Sequence, residues 1–161
     1  MGKPKVFVTR RWPEIAENQL KKYFDVTLNL SDKALSNKEL QDAFYNHDAI
    51  ATTVSDMIDE NIIKSGKSGR GKIISNFGVG FSHIDINACQ KYEIKVSNTP
   101  DVLTDATADL TILLMLMVSR RSKEGEYQIN KGLWPGWSPT HLLGSELTNK
   151  TLGIIGLGRI G

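Results

Sequence analysis

The residues Gly156-Leu-Gly158-Arg159-Ile160-Gly161 carry the spacing G-x-G-x-x-G directly after the β-branched run Thr151-Leu-Gly-Ile-Ile155. After a strand, the first such glycine permits a tight turn, the second lets backbone approach a pyrophosphate, and the third allows close helix packing, so the chemistry suggested is nucleotide binding. A glycine-rich turn without a ligand is the alternative, and the acidic residue that would choose between dinucleotides is expected about 20 positions further on. A second constellation is Asn76-Phe-Gly78-Val79-Gly80-Phe-Ser-His83-Ile-Asp85, at the carboxyl end of a predicted strand. There the consecutive N–H groups of Val79 and Gly80 can form an anion nest for a carboxylate; the alternative is a tight βα turn that needs positive φ. His83 reads first as a capping or surface residue and only second as a base, and Asp85 as a helix-start carboxylate.

Other reactive-looking residues have plainer explanations. Lys64-Ser-Gly66-Lys67-Ser-Gly69-Arg70-Gly71-Lys72 looks like a phosphate loop, but Asn61 stands where such a loop needs its first glycine, leaving an exposed basic turn before a strand. Cys89, the only cysteine, reads as a small core residue, and His47 and His141 have no metal-ligand spacing, so no metal site is expected. Trp134 and Trp137 flank Pro135-Gly136 in a loop, as local packing or as a lid or dimer contact.

Positioning these residues requires alternating elements. Strands are expected at Val6 to Thr9, Val26 to Leu30, Ala49 to Thr53, Lys72 to Asn76 and Lys95 to Asn98. Helices are expected between them at about Pro13 to Tyr23, Ser36 to Tyr45, Asp59 to Ser65 and Ile84 to Tyr92. Ser36 with Glu39 three residues on forms a capping-box pattern, and Pro13 suits a first helical turn. Alternation of this kind builds a parallel sheet covered by helices, here of the flavodoxin-like type. A long helix follows from Thr104 to Arg121, with Asp105 and Asp109 near its start, Arg120, Arg121 and Lys123 at its end, and an almost wholly apolar middle from Ile112 to Val118. That middle suggests burial between two bodies. A further strand is expected at Leu152 to Ile155.

Composition sets the limits. The chain has 161 residues, 20 Lys and Arg against 18 Asp and Glu, and a net charge of +2, too small to imply a nucleic-acid or acidic-lipid partner. Such a length has no room for two large domains, and one cysteine excludes an intrachain disulfide framework. No apolar signal segment follows Met1, and the most apolar run, Asp109 to Arg120, is about half a bilayer span, so the expected compartment is the cytoplasm, without membrane contact.

Taken together, Asn76 to Asp85, Asn98-Thr-Pro-Asp-Val-Leu-Thr104, Thr107-Ala-Asp-Leu110 and Thr151 to Gly161 resemble, in order and spacing, the D-isomer-specific 2-hydroxyacid dehydrogenases. Pro100 to Thr104 and the tryptophan loop look most like the glyoxylate/hydroxypyruvate reductases of that family. The resemblance implies a flavodoxin-like substrate domain over residues 1–101, followed over 102–161 by the start of a Rossmann NAD(P)-binding domain. It implies that Val79 and Gly80 bind the substrate carboxylate by their backbone and that Val54 and Ser55 line the specificity pocket. Thr107 would touch the cofactor, NAD or NADP, and Gly156, Gly158, Arg159 and Ile160 would form the pyrophosphate turn. The reaction implied is reduction of a small 2-keto acid, glyoxylate or hydroxypyruvate, to the D-2-hydroxy acid, in an enzyme that is a homodimer at full length.

The family's substrate-orienting Arg, its His general acid and the carboxylate beside that His come from later in the cofactor domain. The expectation is therefore an N-terminal part with no catalytic residue of its own, inactive alone. Two departures from the family pattern are Asp109, where Glu is usual, and the Gly/Lys/Ser-rich stretch near Gly66. The competing expectation is a non-catalytic remnant, or a module that holds a carboxylate or a protein partner, since the family's relatives include transcriptional co-repressors. Apolar surface on the long helix and on the strand at Leu152 to Ile155 is expected to favour dimerisation or aggregation.

Overall fold

Runs such as Lys-Val-Phe-Val and Ala-Ile-Ala-Thr-Thr combine β-branched side chains with continuous hydrophobicity, which suits strands buried on both faces of a parallel sheet. The structure, a computed structural model describing residues 2–161, forms them where expected to within a residue or two. The chain runs β1 (Lys5–Val8), α1 (Glu14–Tyr23), β2 (Asp25–Leu28), α2 (Asn37–Asn46), β3 (Ala49–Thr53), α3 (Glu60–Ser68), β4 (Ile73–Phe77), α4 (Ile86–Lys91), β5 (Lys95–Ser97), α5 (Thr104–Ser119) and α6 (Ser122–Asn130). It divides into two compact units, the first ending at Asp101 and the second beginning at Val102.

In the first unit five parallel strands lie in the order β2-β1-β3-β4-β5, which is the flavodoxin-like order. Register pairs Val6 with both Val26 and Ala49, and Ile50 with Ile74. Side chains alternate between the two faces. Val6, Val8 and Ala51 make one small core with Trp12, Leu20 and Phe24, whereas Ile50 and Ile74 join Leu40, Phe44, Ile58, Ile62 and Ile63 in a larger one on α2, α3 and α4. Strand order reverses between β1 and β3, so the crevice for a ligand is expected at the carboxyl ends of these strands.

The helix starts follow their chemistry. Ser36 and Glu39 complete a capping box at α2, and Asp59 and Asp85 accept from the backbone N–H of Ile62 and Ala88 at α3 and α4. Pro13 occupies the N-cap of α1 rather than its first turn. The basic stretch departs from expectation: Lys64 to Ser68 belong to α3 itself, and Gly66 and Gly71 are buried. A Cβ on either glycine would overlap the Phe44 ring, so close α2–α3 packing, and not an exposed loop, accounts for them. Cys89 is a buried core residue whose thiol burial pushes up to about 11.

An ion pair between the buried Glu17 and the exposed Arg11 anchors α1. Glu17, 1% exposed, accepts from Arg11 Nε at 2.7 Å and Nη2 at 2.9 Å and from the Trp12 N–H at 3.0 Å. Hydrogen bonds from the Arg11 guanidinium hold the Glu17 carboxylate below the ordinary 4.5, against the opposing effect of burial. A pKa lowered on folding contributes stability above the unfolded value, and that contribution is lost as pH falls through the folded one. Glu17→Gln is therefore expected to lower the urea midpoint at about pH 7 and to flatten its fall below about pH 4.5. Parallel acid profiles for the two proteins would sink this assignment.

The second unit corrects two expectations. The long helix stops at Ser119 because Arg121 adopts a left-handed φ of 52°, and a separate helix, α6, follows before the tryptophan loop. No strand forms at Leu152 to Ile155. A strand needs a neighbour for its backbone hydrogen bonds, and the second unit has no strand among the described residues. No residue of α5 is buried. Among the described residues, no helix is long and apolar enough to cross a membrane.

Candidate functional site

β3 and β4 are neighbours, so their carboxyl ends deliver two loops side by side. After β3 come Val54 and Ser55, both exposed, held by the buried Asp56. The Asp56 carboxylate accepts from Thr9 Oγ1 at the end of β1 at 2.5 Å and from the Thr53 N–H at 2.8 Å, while Thr53 Oγ1 and Ser55 Oγ share a hydrogen bond of 2.9 Å. After β4 come Gly78, Val79 and Gly80. Gly78 lies against Val54, whose Cγ1 would be 2.8 Å from any added Cβ. The four residues expected to meet substrate therefore share one edge of the sheet.

The glycine turn does not have the backbone that the positive-φ reading requires. Neither Gly78 nor Gly80 has positive φ. The turn is closed by the side chain of Asn76, which is 1% exposed and whose Nδ2 donates to Gly78 O at 3.1 Å and to Gly80 O at 2.9 Å. From the loop after β5, Asn98 Nδ2 donates to Val79 O at 2.9 Å and the Thr99 N–H donates to Gly78 O at 3.1 Å. All three carbonyls of the turn are thus tied back. The N–H groups of Val79 and Gly80, by contrast, have no acceptor among the described residues. Open space surrounds Gly80, where an added Cβ would meet nothing within 4 Å. Two unpaired donors beside free volume are an arrangement able to receive a small anion.

His83 is not the surface or capping residue expected. It is 9% exposed and its Nε2 lies 3.0 Å from Asn76 Oδ1, because the ring tucks beneath the turn to reach the carboxamide. Its carbonyl accepts from the Ile58 N–H at 2.8 Å, and Ile58 O accepts from the Asp85 N–H at 3.0 Å, in a small parallel bridge between Ile58 and Ile84. This bridge joins the loops after β3 and β4. Asn76, Asn98 and His83 all lay within the recognised motifs, but their type and spacing carried no sign of this scaffolding work. Asp56 and Thr9 had no signal beyond a polar residue at a strand end.

In the second unit, Thr107 Oγ1 donates to Leu103 O at 2.9 Å within the start of α5. Gly156 has a φ of +89°, which only glycine adopts readily, and the Gly158 N–H donates to Gly156 O at 3.1 Å. A Cβ on Gly158 would meet nothing within 4 Å. Leu152 to Gly156, with Ile160, lie along Ala108, Thr111, Ile112 and Met115 of α5 and enclose a groove of about 460 Å³. Arg159 is exposed. Trp134 and Trp137 are exposed too, the latter by 83%, so neither is consumed by local packing. Among the described residues no group of His, Cys, Asp and Glu could hold a metal ion.

Residues 6–156 match the family model described as D-isomer specific 2-hydroxyacid dehydrogenase, catalytic domain. The chain is 41% identical to a glyoxylate reductase of Thermococcus litoralis over 99% of its own length and 49% of the relative's. It is 38% identical to a glycerate dehydrogenase of Hyphomicrobium methylovorum over 100% of its length and 50% of that protein's. Among solved structures, NAD+-bound 3-phosphoglycerate dehydrogenase of Entamoeba histolytica superimposes with a TM-score of 0.73 at 30% identity, covering 99% of this chain and 48% of the other. The chain thus spans about half the length of the relatives it matches.

Proposed function

The chain belongs to the D-isomer-specific 2-hydroxyacid dehydrogenase family, and from that premise we propose that it is the substrate-binding half of an enzyme that reduces glyoxylate or hydroxypyruvate to the D-2-hydroxy acid. The observation that carries this reading is the pair of unpaired N–H groups at Val79 and Gly80, in a turn whose carbonyls are all tied back. These donors hold the substrate carboxylate, and Val54 and Ser55 border the group on the other side of the keto carbon. A small 2-keto acid fits because its carboxylate satisfies both donors while little side chain remains to be housed.

A nicotinamide, NAD or NADP, supplies the hydride when bound. The glycine turn fits such a group in two respects: Gly156 supplies a positive-φ turn and Gly158 leaves room for close approach. In this reading Gly156, Gly158, Arg159 and Ile160 border the pyrophosphate and Thr107 borders the cofactor. The chain's own contribution is binding and orientation: the Val79–Gly80 cradle fixes the carboxylate, which sets the face that the keto carbon presents. The proton for the nascent hydroxyl comes from a His outside these residues, a contribution worth about 10²- to 10⁴-fold. Homodimerisation at full length and a cytoplasmic site of action complete the proposal.

The full-length protein is expected to oxidise NADH or NADPH with glyoxylate or hydroxypyruvate as acceptor, and the 161-residue chain alone to give no turnover. Turnover by this chain alone would overturn the placement of catalysis outside it. Glyoxylate binding by the full-length protein with no cofactor oxidation would favour a non-catalytic carboxylate-binding module.

A further inference from the structure

We infer that His83 is a positioning residue that locks the carboxylate cradle through Asn76, an assignment that rests on the cradle reading above. Counting donors and acceptors leads to it. The Asn76 carboxamide has two N–H donors, and both are used, on Gly78 O and Gly80 O. Its Oδ1 can only accept. His83 Nε2, 3.0 Å from that oxygen, must therefore carry a proton and donate it. A carboxamide is nearly symmetric in shape, so packing alone does not choose between its two orientations. Turned over, Asn76 would set its oxygen against two carbonyls. The His83 donor selects the orientation that draws those carbonyls in and leaves the Val79 and Gly80 N–H groups free.

The position is itself held. The His83 carbonyl accepts from the Ile58 N–H at 2.8 Å, which fixes the backbone from which the ring projects, and the residue is 9% exposed, which leaves the imidazole little room to leave its partner. Among the described residues the polar partner of the ring is the Asn76 carboxamide. His83 thus acts as a donor two hydrogen bonds removed from the turn and touches no reacting atom.

The test uses the ¹⁵N-labelled full-length protein. Ring-nitrogen shifts at neutral pH should report the Nε2–H tautomer of His83, and the Nδ1–H tautomer would overturn the inference without any variant being made. His83→Phe should move the Val79 and Gly80 amide resonances and weaken glyoxylate binding about threefold to tenfold, the equivalent of one hydrogen bond. His83→Gln, which offers an N–H at similar reach, should restore both. Amide resonances unchanged in His83→Phe, or changed equally in His83→Gln, would also overturn it. If glyoxylate leaves the wild-type Val79 and Gly80 signals unmoved, the cradle reading fails, while the tautomer and variant spectra still decide the role of His83.

Discussion

Asn76→Ala is expected to cost the chain about 2–4 kcal/mol and to abolish detectable glyoxylate binding. The substitution removes three hydrogen bonds at once, those to Gly78 O, Gly80 O and His83 Nε2, at a side chain 1% exposed. A lost hydrogen bond costs most when the partner stays buried, roughly 1–3 kcal/mol per stranded group. Some of these partners regain water, which keeps the total below the simple sum. Asn76→Asp should do no better than alanine despite its matching shape, because a carboxylate would face two carbonyl oxygens with no donor to offer them. Urea denaturation followed by circular dichroism, with glyoxylate titration of any folded protein, measures both effects. A loss under about 1 kcal/mol with binding intact would show that the turn closes without its asparagine.

Phe44→Ala is expected to be the most damaging apolar truncation, at about 3–5 kcal/mol. Phe44 is fully buried between α2 and α3 and packs on Gly66 and Gly71, where no side chain exists to relax into the space it would vacate. The same contact predicts a coupling. Gly66→Ala alone should destabilise by about 1–3 kcal/mol through overlap with the ring, and much less in a Phe44→Leu background, where room has been made. Strict additivity across that double-mutant cycle would mean that the glycine is not there for the phenylalanine.

Most of the first unit could be read from the residues because each element announces itself locally. Val6, Ile50 and Ile74 lie in short β-branched runs, Ser36 and Glu39 mark a helix start, and the alternation of elements leaves few parallel topologies. The glycine turn was legible as a place but not as a mechanism. Asn76 could not be seen to close it, since a side chain reaching over its own turn leaves no periodic signal. His83 was misjudged because burial at the base of a loop depends on the Ile58–Ile84 bridge, which pairs positions far apart in sequence. Gly66 was misjudged for a similar reason: a run rich in Lys, Ser and Gly looks solvated until Phe44 is found on top of it. The expected strand at Leu152 to Ile155 failed on a different count, because strand propensity is realised only with a partner for the backbone.

The short bridge between Ile58 and Ile84 bears on motion as well as on shape. With Ile58 N–H bonded to His83 O and Asp85 N–H bonded to Ile58 O, the loops after β3 and β4 cannot part without breaking backbone hydrogen bonds in both. No hinge runs between them. This edge is a fixed jaw, and on the proposed reading a carboxylate arriving at Val79 and Gly80 would meet donors already ordered, so little conformational entropy would be lost in receiving it.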